Sequence, residues 1–151
     1  MEDLISRRCD FDEAVLEALG SIKDRGFDYL GGVILSSQAL GDYIEGEFRS
    51  SGANRSIRVT YLPSIYGHDD AIKIFVENHR GGTFSIDQYL KHIGVNAEIL
   101  EKLKLKNYSG AFRERVRACL EEYDSIMNQY LASCIDGHKW QDVPIDWRGY
   151  K

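Results

Sequence analysis

The chain has 151 residues, of which 43% are hydrophobic and 28% are charged, and its formal net charge is −5. This balance is typical of one globular domain and excludes an extensively disordered chain. The acidic charge disfavours a generic binder of nucleic acid or of anionic membranes, because such proteins usually present a basic surface. No apolar run approaches the roughly 20 residues that cross a bilayer, and the first residues lack a signal-peptide core, so we expect a cytoplasmic protein with no membrane partner.

The N-terminal third of the chain predicts a helix and then a strand. From Asp10 to Arg25 the apolar residues follow helical spacing, with Asp10 in the N-cap position and Gly26 as the stop. Between Tyr29 and Leu40, the pair Gly31-Gly32 disfavours a helix interior, so we interpret this stretch as a strand.

The middle of the chain shows the two-residue alternation of strands with one buried face. Strands are predicted at 43–49, 56–62 and 71–77, with a short extended segment at 83–84. The turn-rich Ser50 to Arg55 and the loop Ser64 to Asp70 separate the first three. Short connections favour pairing between sequence neighbours, so the simplest topology is an antiparallel meander of three to four strands.

Helices are predicted after the sheet. Ser85 is the expected N-cap of a helix over 86–93 that ends at Gly94, and Asn96 caps a second one reaching about Lys104. The longest helix opens at Ser109 or Gly110, and its apolar stripe runs from Phe112 to Cys134 and is expected to cover the sheet. The fold class is therefore α+β, a single domain over 1–151 whose residues 137–151 form a C-terminal tail.

The residue types that carry catalysis do not assemble into a recognisable motif. Cys9, Cys119 and Cys134 are odd in number and widely spaced, so we expect buried free thiols. The run His68-Asp69-Asp70 could serve acid–base chemistry in a small hydrolase, but no second cluster completes a metal site, and a solvated turn is the simpler interpretation. We therefore expect no enzyme, no cofactor and no metal.

Positive charge is concentrated late in the chain. Residues 102–117 hold six basic side chains against the single carboxylate of Glu114; the six are Lys102, Lys104, Lys106, Arg113, Arg115 and Arg117. A nucleic-acid or nucleotide-binding module using this segment is the alternative function. A solvated helix face explains the same pattern, because the arginines are spaced by two and spread around a helix.

A second charged group suggests a protein-binding surface. It combines carboxylates on the first hairpin arm, in the following loop and after the third strand with one aromatic residue; the set is Asp42, Glu45, Glu47, Asp69, Asp70, Phe75 and Glu77. Carboxylates gathered on one side of a sheet would attract a basic protein. Phe75 is expected to point away from the buried face, unless the tail folds Trp140 and Trp147 over it.

The stretches Ser56-Ile57-Arg58-Val59-Thr60-Tyr61-Leu62-Pro63, Ile72-Lys73-Ile74-Phe75-Val76-Glu77 and Phe84-Ser85-Ile86-Asp87-Gln88-Tyr89-Leu90 resemble small bacterial proteins of toxin loci. The resemblance implies an immunity protein of a polymorphic-toxin or contact-dependent growth inhibition system. Such a protein binds its cognate toxin domain in the cytoplasm and blocks the active site. These families share no functional residues, so the seven site residues rest on charge and exposure alone.

Overall fold

A computed structural model describes residues 4–39, 41–64, 68–140 and 142–143. In these ranges two α-helices precede five consecutive strands, and four α-helices follow them. The helices are α1 (Leu4–Ala18), α2 (Gly20–Asp24), α3 (Ile86–Ile93), α4 (Ala97–Glu101), α5 (Phe112–Tyr130) and α6 (Ala132–Ile135). The strands are β1 (Asp28–Ser37), β2 (Gly41–Ser50), β3 (Arg55–Leu62), β4 (Ala71–Asn78) and β5 (Thr83–Ser85).

The strands form one antiparallel sheet in the order β1-β2-β3-β4-β5. The α+β class and the meander are confirmed, whereas the expected three to four strands become five. The five extended segments predicted from the sequence all pair into this one sheet, and the first of them, β1, accommodates Gly31-Gly32 as an irregularity in its register with β2. Gly31 has φ +84°, a backbone conformation that glycine adopts without penalty, so the pairing resumes at Gly32.

The inner face of the sheet is the apolar one, and the helices pack on it. Its buried side chains alternate along the strands: Ile44, Phe48, Ile57, Val59, Tyr61, Ile72, Ile74, Val76 and Phe84. Helix α1 lies on β1 and β2 and beside α5. Helix α5 reaches β3 and β4, because the Tyr123 hydroxyl donates to the Ile72 carbonyl at 3.1 Å and the Phe112 ring lies 4.8 Å from that of Tyr61. The prediction that the long helix covers the apolar face is confirmed.

The N-terminal helix begins six residues earlier than the capping pattern predicts. It starts at Leu4, so Asp10 lies within the helix instead of capping it. Tertiary contacts account for the difference: Arg7 donates to the Tyr61 hydroxyl at 2.9 Å, and its guanidinium lies 4.9 Å from the centre of the Phe112 ring. These contacts stabilise the first turns despite the local capping signal. The helical region ends as predicted at Gly26, which follows α2 and has φ +93°.

The helices after the sheet follow the predicted signals in part. Ser85 accepts from the Gln88 N–H while the Gln88 side chain accepts from the Ser85 N–H, and Gly94 ends α3 in the left-handed conformation. The Asn96-capped helix ends at Glu101, before Lys104. The long apolar stripe is divided between α5 and α6, because Leu131 leaves the helical conformation at φ −124° and ψ 7°.

The tail packs on the inner side of the sheet as far as it is described. The Trp140 ring lies 5.0 Å from that of Phe84, and the Arg55 guanidinium lies 5.0 Å from its centre. Trp140 is therefore on the opposite face from Phe75, while Trp147 lies outside the described residues. None of the helices in the described ranges combines the length and apolar character needed to cross a membrane.

Candidate protein-binding face

The second face of the sheet, called here the outer face, carries none of the described helices. Alternation places Tyr43, Glu45 and Glu47 of β2 on this face, together with their neighbours on β3 and β4. The apolar core gathers the inner-face residues, and no outer-face strand residue contributes to it. Within the described ranges, an entire side of a five-stranded sheet is thus left to its own polar, aromatic and aliphatic side chains.

Arg58 is the centre of this outer face. The strand register puts it opposite Glu47 on β2 and opposite Phe75 on β4. Its guanidinium contacts Glu77 at 2.9 Å and Glu45 at 3.5 Å, and it lies 5.3 Å from the centre of the Phe75 ring. We call Arg58, Phe75, Glu45 and Glu77 the Arg58 cluster. Three of its four members were expected from the sequence.

Arg58 itself was missed, although the signal was present. It occupies a polar position of β3 between Ile57 and Val59, and an antiparallel register with β2 and β4 brings the carboxylates to it. Arg58 is distant from Glu45 and Glu77 in the sequence, so a count of charges along the chain does not group them. The pairing of β3 with β2 and β4 brings them together.

Glu47 belongs to a neighbouring group on the same face. It accepts from Arg49 at 2.7 Å and from the Ser56 hydroxyl at 2.8 Å. The three outer-face glutamates are therefore each paired with an arginine. The expected gathering of carboxylates on one side of the sheet is present for Glu45, Glu47 and Glu77, but the face is charge-balanced instead of acidic.

Two polar atoms on the outer face lack hydrogen-bond partners among the described residues, Arg58 Nε and the Thr60 hydroxyl. Both are covered by neighbouring side chains. An unsatisfied buried polar group costs about 1–3 kcal/mol.

The remaining three predicted residues lie apart from the Arg58 cluster. Asp42 is at the end of β2 nearest β1, where it accepts a hydrogen bond from Ser36. Asp70 lies on the inner side and accepts from Arg115 at 2.9 and 3.1 Å and from the Tyr61 hydroxyl at 3.0 Å. Asp69, next to it, is exposed.

The basic segment at 102–117 is largely neutralised by ion pairs. Arg113 contacts Glu13 at 3.1 Å and also pairs with Glu17, and Arg117 contacts Glu17 at 3.4 Å. Arg115 pairs with Asp70, and Lys104 with Glu101 at 2.7 Å. Among the described residues, only Lys102 and Lys106 of the six have no ion pair.

A cavity of about 310 Å³ lies beside the uncovered end of β4, next to this basic segment. Its lining contains charged residues of both signs, which are Asp69, Asp70, Lys73, Asp87, Lys91, Lys104 and Lys106. Lys73 pairs with Asp87, whose other carboxylate oxygen accepts from Tyr123 at 3.2 Å. The cavity therefore presents a mixed surface and not a concentrated anion site.

The loop that carries His68 is described only in part, since residues 65–67 lie outside the described ranges. The His68 carbonyl accepts from the Ser64 hydroxyl at 2.7 Å. Asp70, the third residue of the suggested acid–base group, is engaged by Arg115. In the described part of the chain, no group of three or more histidine, cysteine, aspartate or glutamate residues is arranged to hold a metal ion.

The cysteines are free thiols, as expected. Cys119 is buried, and burial raises its thiol pKa to about 12, which leaves it protonated and unreactive at neutral pH. Cys134 is also buried, whereas Cys9 is exposed on α1, so the expected burial of the cysteines is wrong for Cys9.

No protein-family model matches the sequence, and neither the curated proteins nor the solved structures include a significant match. The outer face and the chemistry of its side chains are therefore the features from which a function can be inferred.

Proposed function

We propose that this chain is a protein-binding immunity protein, which neutralises a cognate bacterial toxin domain in the cytoplasm by occluding its active site. The observation that supports it is the outer face, where the described residues leave one side of a five-stranded sheet uncovered around Arg58 and Phe75. The proposal is that this face, and not a pocket, is the functional surface.

The Arg58 cluster has the composition of a protein–protein contact. Arginine and aromatic residues are enriched among the side chains that dominate binding energy. Here the arginine is held over the aromatic ring by two carboxylates, so little side-chain entropy remains to be lost on binding. The cluster is carried by paired strands, which position it more rigidly than loops would.

The charge balance of the outer face changes the expected mechanism of association. Because its glutamates are already paired with arginines, the face contributes little long-range attraction, and steering of a basic toxin comes from the net charge of −5. At contact, arginines or lysines of the toxin would approach the other carboxylate oxygens of Glu45 and Glu77, while Arg58 keeps its ion pairs and its place over Phe75. If the toxin is a nuclease, Glu45, Glu47 and Glu77 would occupy the positions of substrate phosphates.

The experiment uses the full chain as bait in lysate of its native host. Wild-type protein is compared with Arg58→Ala and with Arg8→Ala, which removes an exposed arginine of α1 and serves as the matched control. We expect a basic protein to bind the wild type and the Arg8 variant but not the Arg58 variant. The captured protein is then expressed alone and together with this chain, and we expect toxicity only in the first case.

Three results would overturn the proposal. Capture that survives Arg58→Ala removes the outer face from the interface. A captured protein that is harmless when expressed alone removes the immunity role. Recovery of nucleic acid alone transfers the function to the basic segment.

A further inference from the structure

The free edge of β1 is unusual for a sheet edge. Among the described residues β1 pairs only with β2, and the strand is ten residues long. The sequence has no charged residue and no proline between Asp28 and Asp42. Natural edge strands are usually protected by charges, proline or short length, because their unpaired N–H and C=O groups recruit other strands. The opposite edge is the three-residue β5.

The side chains on this edge are apolar and exposed. Val33 is 48% exposed and Leu35 is 36% exposed, and both lie on the outer face, paired with Glu45 and Tyr43 of β2. Leu30, on the other side of the register irregularity, is 53% exposed.

The backbone shows which groups remain available. The Gly32 N–H donates to the Asp12 carboxylate at 2.8 Å, so it points away from β2. In an antiparallel strand the direction of the backbone groups alternates, so Ile34 and Ser36 also point to the free edge. Asp12 therefore accepts a hydrogen bond from one backbone donor of this edge. The N–H and C=O of Ile34, the N–H of Ser36 and the C=O of Gly32 have no hydrogen-bond partner among the described residues.

We propose that two copies of this chain pair through β1, antiparallel, about a two-fold axis at Ile34. In this register each Ile34 exchanges two hydrogen bonds with Ile34 of the second copy, and each Ser36 N–H donates to the opposite Gly32 carbonyl. The Gly32 N–H keeps its bond to Asp12. Val33 of one copy then lies directly opposite Leu35 of the other, twice, on the outer face.

A second copy suits this edge better than the basic toxin domain proposed above. The paired segment carries no charge, so it offers a cationic partner no complement, and in the self-pair no like charges face each other. The exposed apolar residues match each other in the same register that uses the open backbone groups. A two-fold pair is closed, so it ends at a dimer instead of a fibre. The dimer does not depend on the toxin proposal.

The oligomeric state is measured by sedimentation velocity over a concentration series. We expect twice the 17.2 kDa chain mass at high concentration and a shift to monomer on dilution. Val33→Lys should give monomer throughout, because it places a charge opposite Leu35. Ile93→Lys is the control, since it changes a similarly exposed apolar residue on α3, at the far side of the sheet.

The register is tested by cross-linking in a Cys9→Ser background. An equimolar mixture of Val33→Cys and Leu35→Cys proteins should form an intermolecular disulfide, because these positions are directly opposite. Each variant alone should not, because identical positions are about 7 Å apart or more across the diagonal. Each of three results would overturn the proposal. The wild type could be monomeric at every concentration, the Val33→Lys variant could still dimerise, or the single cysteine variants could cross-link as well as the mixture.

Discussion

Asp70 links helix α5 to strand β3 by accepting hydrogen bonds from both elements. It receives two hydrogen bonds from Arg115 and one from Tyr61, and burial leaves both partners with few alternatives. Asp70→Asn keeps the size but removes the charge, so we expect stability to fall by about 1.5–3 kcal/mol. Urea unfolding measures the loss. Asp69→Asn is the control and should change stability by less than about 0.5 kcal/mol, since Asp69 is exposed. Equal effects of the two variants would contradict this role.

Tyr61 makes the stability depend on alkaline pH. Burial, followed by the nearby Asp70 carboxylate, raises the pKa of Tyr61 to about 12. The unfolded tyrosine ionises near pH 10, so between pH 10 and 12 the unfolded state binds fewer protons and stability falls as pH rises. Tyr61→Phe should flatten this part of the curve of unfolding free energy against pH. An unchanged slope would show that Tyr61 does not titrate with unfolding.

At the scale of elements, Tyr29 of β1 packs into the space that Gly46 of β2 leaves by having no side chain. Tyr29 packs over Gly46, where a Cβ would lie 2.9 Å from Tyr29 Cε1 and 3.0 Å from Cζ. The Tyr29 hydroxyl donates to Asp12 at 2.6 Å, and its ring lies 4.7 Å from Phe48, so the ring cannot move freely. This arrangement ties α1 to both strands.

Gly46→Ala should therefore cost about 1–3 kcal/mol, because the added methyl displaces a ring that Asp12 and Phe48 hold in place. Gly20→Ala is the control, since a Cβ there meets nothing within 4 Å and the position is helical. We expect it to be neutral or stabilising by up to about 1 kcal/mol. Thermal unfolding followed by circular dichroism measures both. A neutral Gly46→Ala would show that Tyr29 relaxes without loss.

Local signals predicted those elements whose boundaries are set by local chemistry. The Ser85 cap, the Gly94 stop and the alternation in β3 and β4 needed only neighbouring residues, and they are confirmed. The start of α1 was predicted wrongly because Arg7 is held by Tyr61 and Phe112, which are distant in sequence. The Arg58 cluster was incomplete for the same reason, since its ion pairs form across strands.

At the scale of the whole molecule, the basic segment 102–117 and the outer-face glutamates are both strongly charged in the sequence but largely neutralised by ion pairs in the fold. Most basic side chains of 102–117 are paired with carboxylates, so few remain to release counterions from a nucleic acid. We therefore expect no oligonucleotide binding at low salt, measured by fluorescence anisotropy with single- and double-stranded probes. Binding that weakens steeply with added salt, and that is lost on Lys102→Ala with Lys106→Ala, would restore the alternative function.

The outer face and the β1 edge are adjacent, but toxin binding by the first and dimerisation through the second can be tested separately. Pairing at β1 would continue the sheet into the second copy and leave the Arg58 cluster of each copy uncovered, because the cluster lies on β2, β3 and β4. We therefore expect Leu35→Lys, which faces Tyr43 and not a glutamate of the cluster, to abolish dimerisation while retaining the captured toxin. We expect Arg58→Ala to abolish capture while retaining the dimer. Sedimentation and pull-down of both variants measure the four combinations. Loss of toxin binding by the Leu35 variant would mean that the toxin occupies the β1 edge, and loss of the dimer by the Arg58 variant would place the self-contact on the outer face.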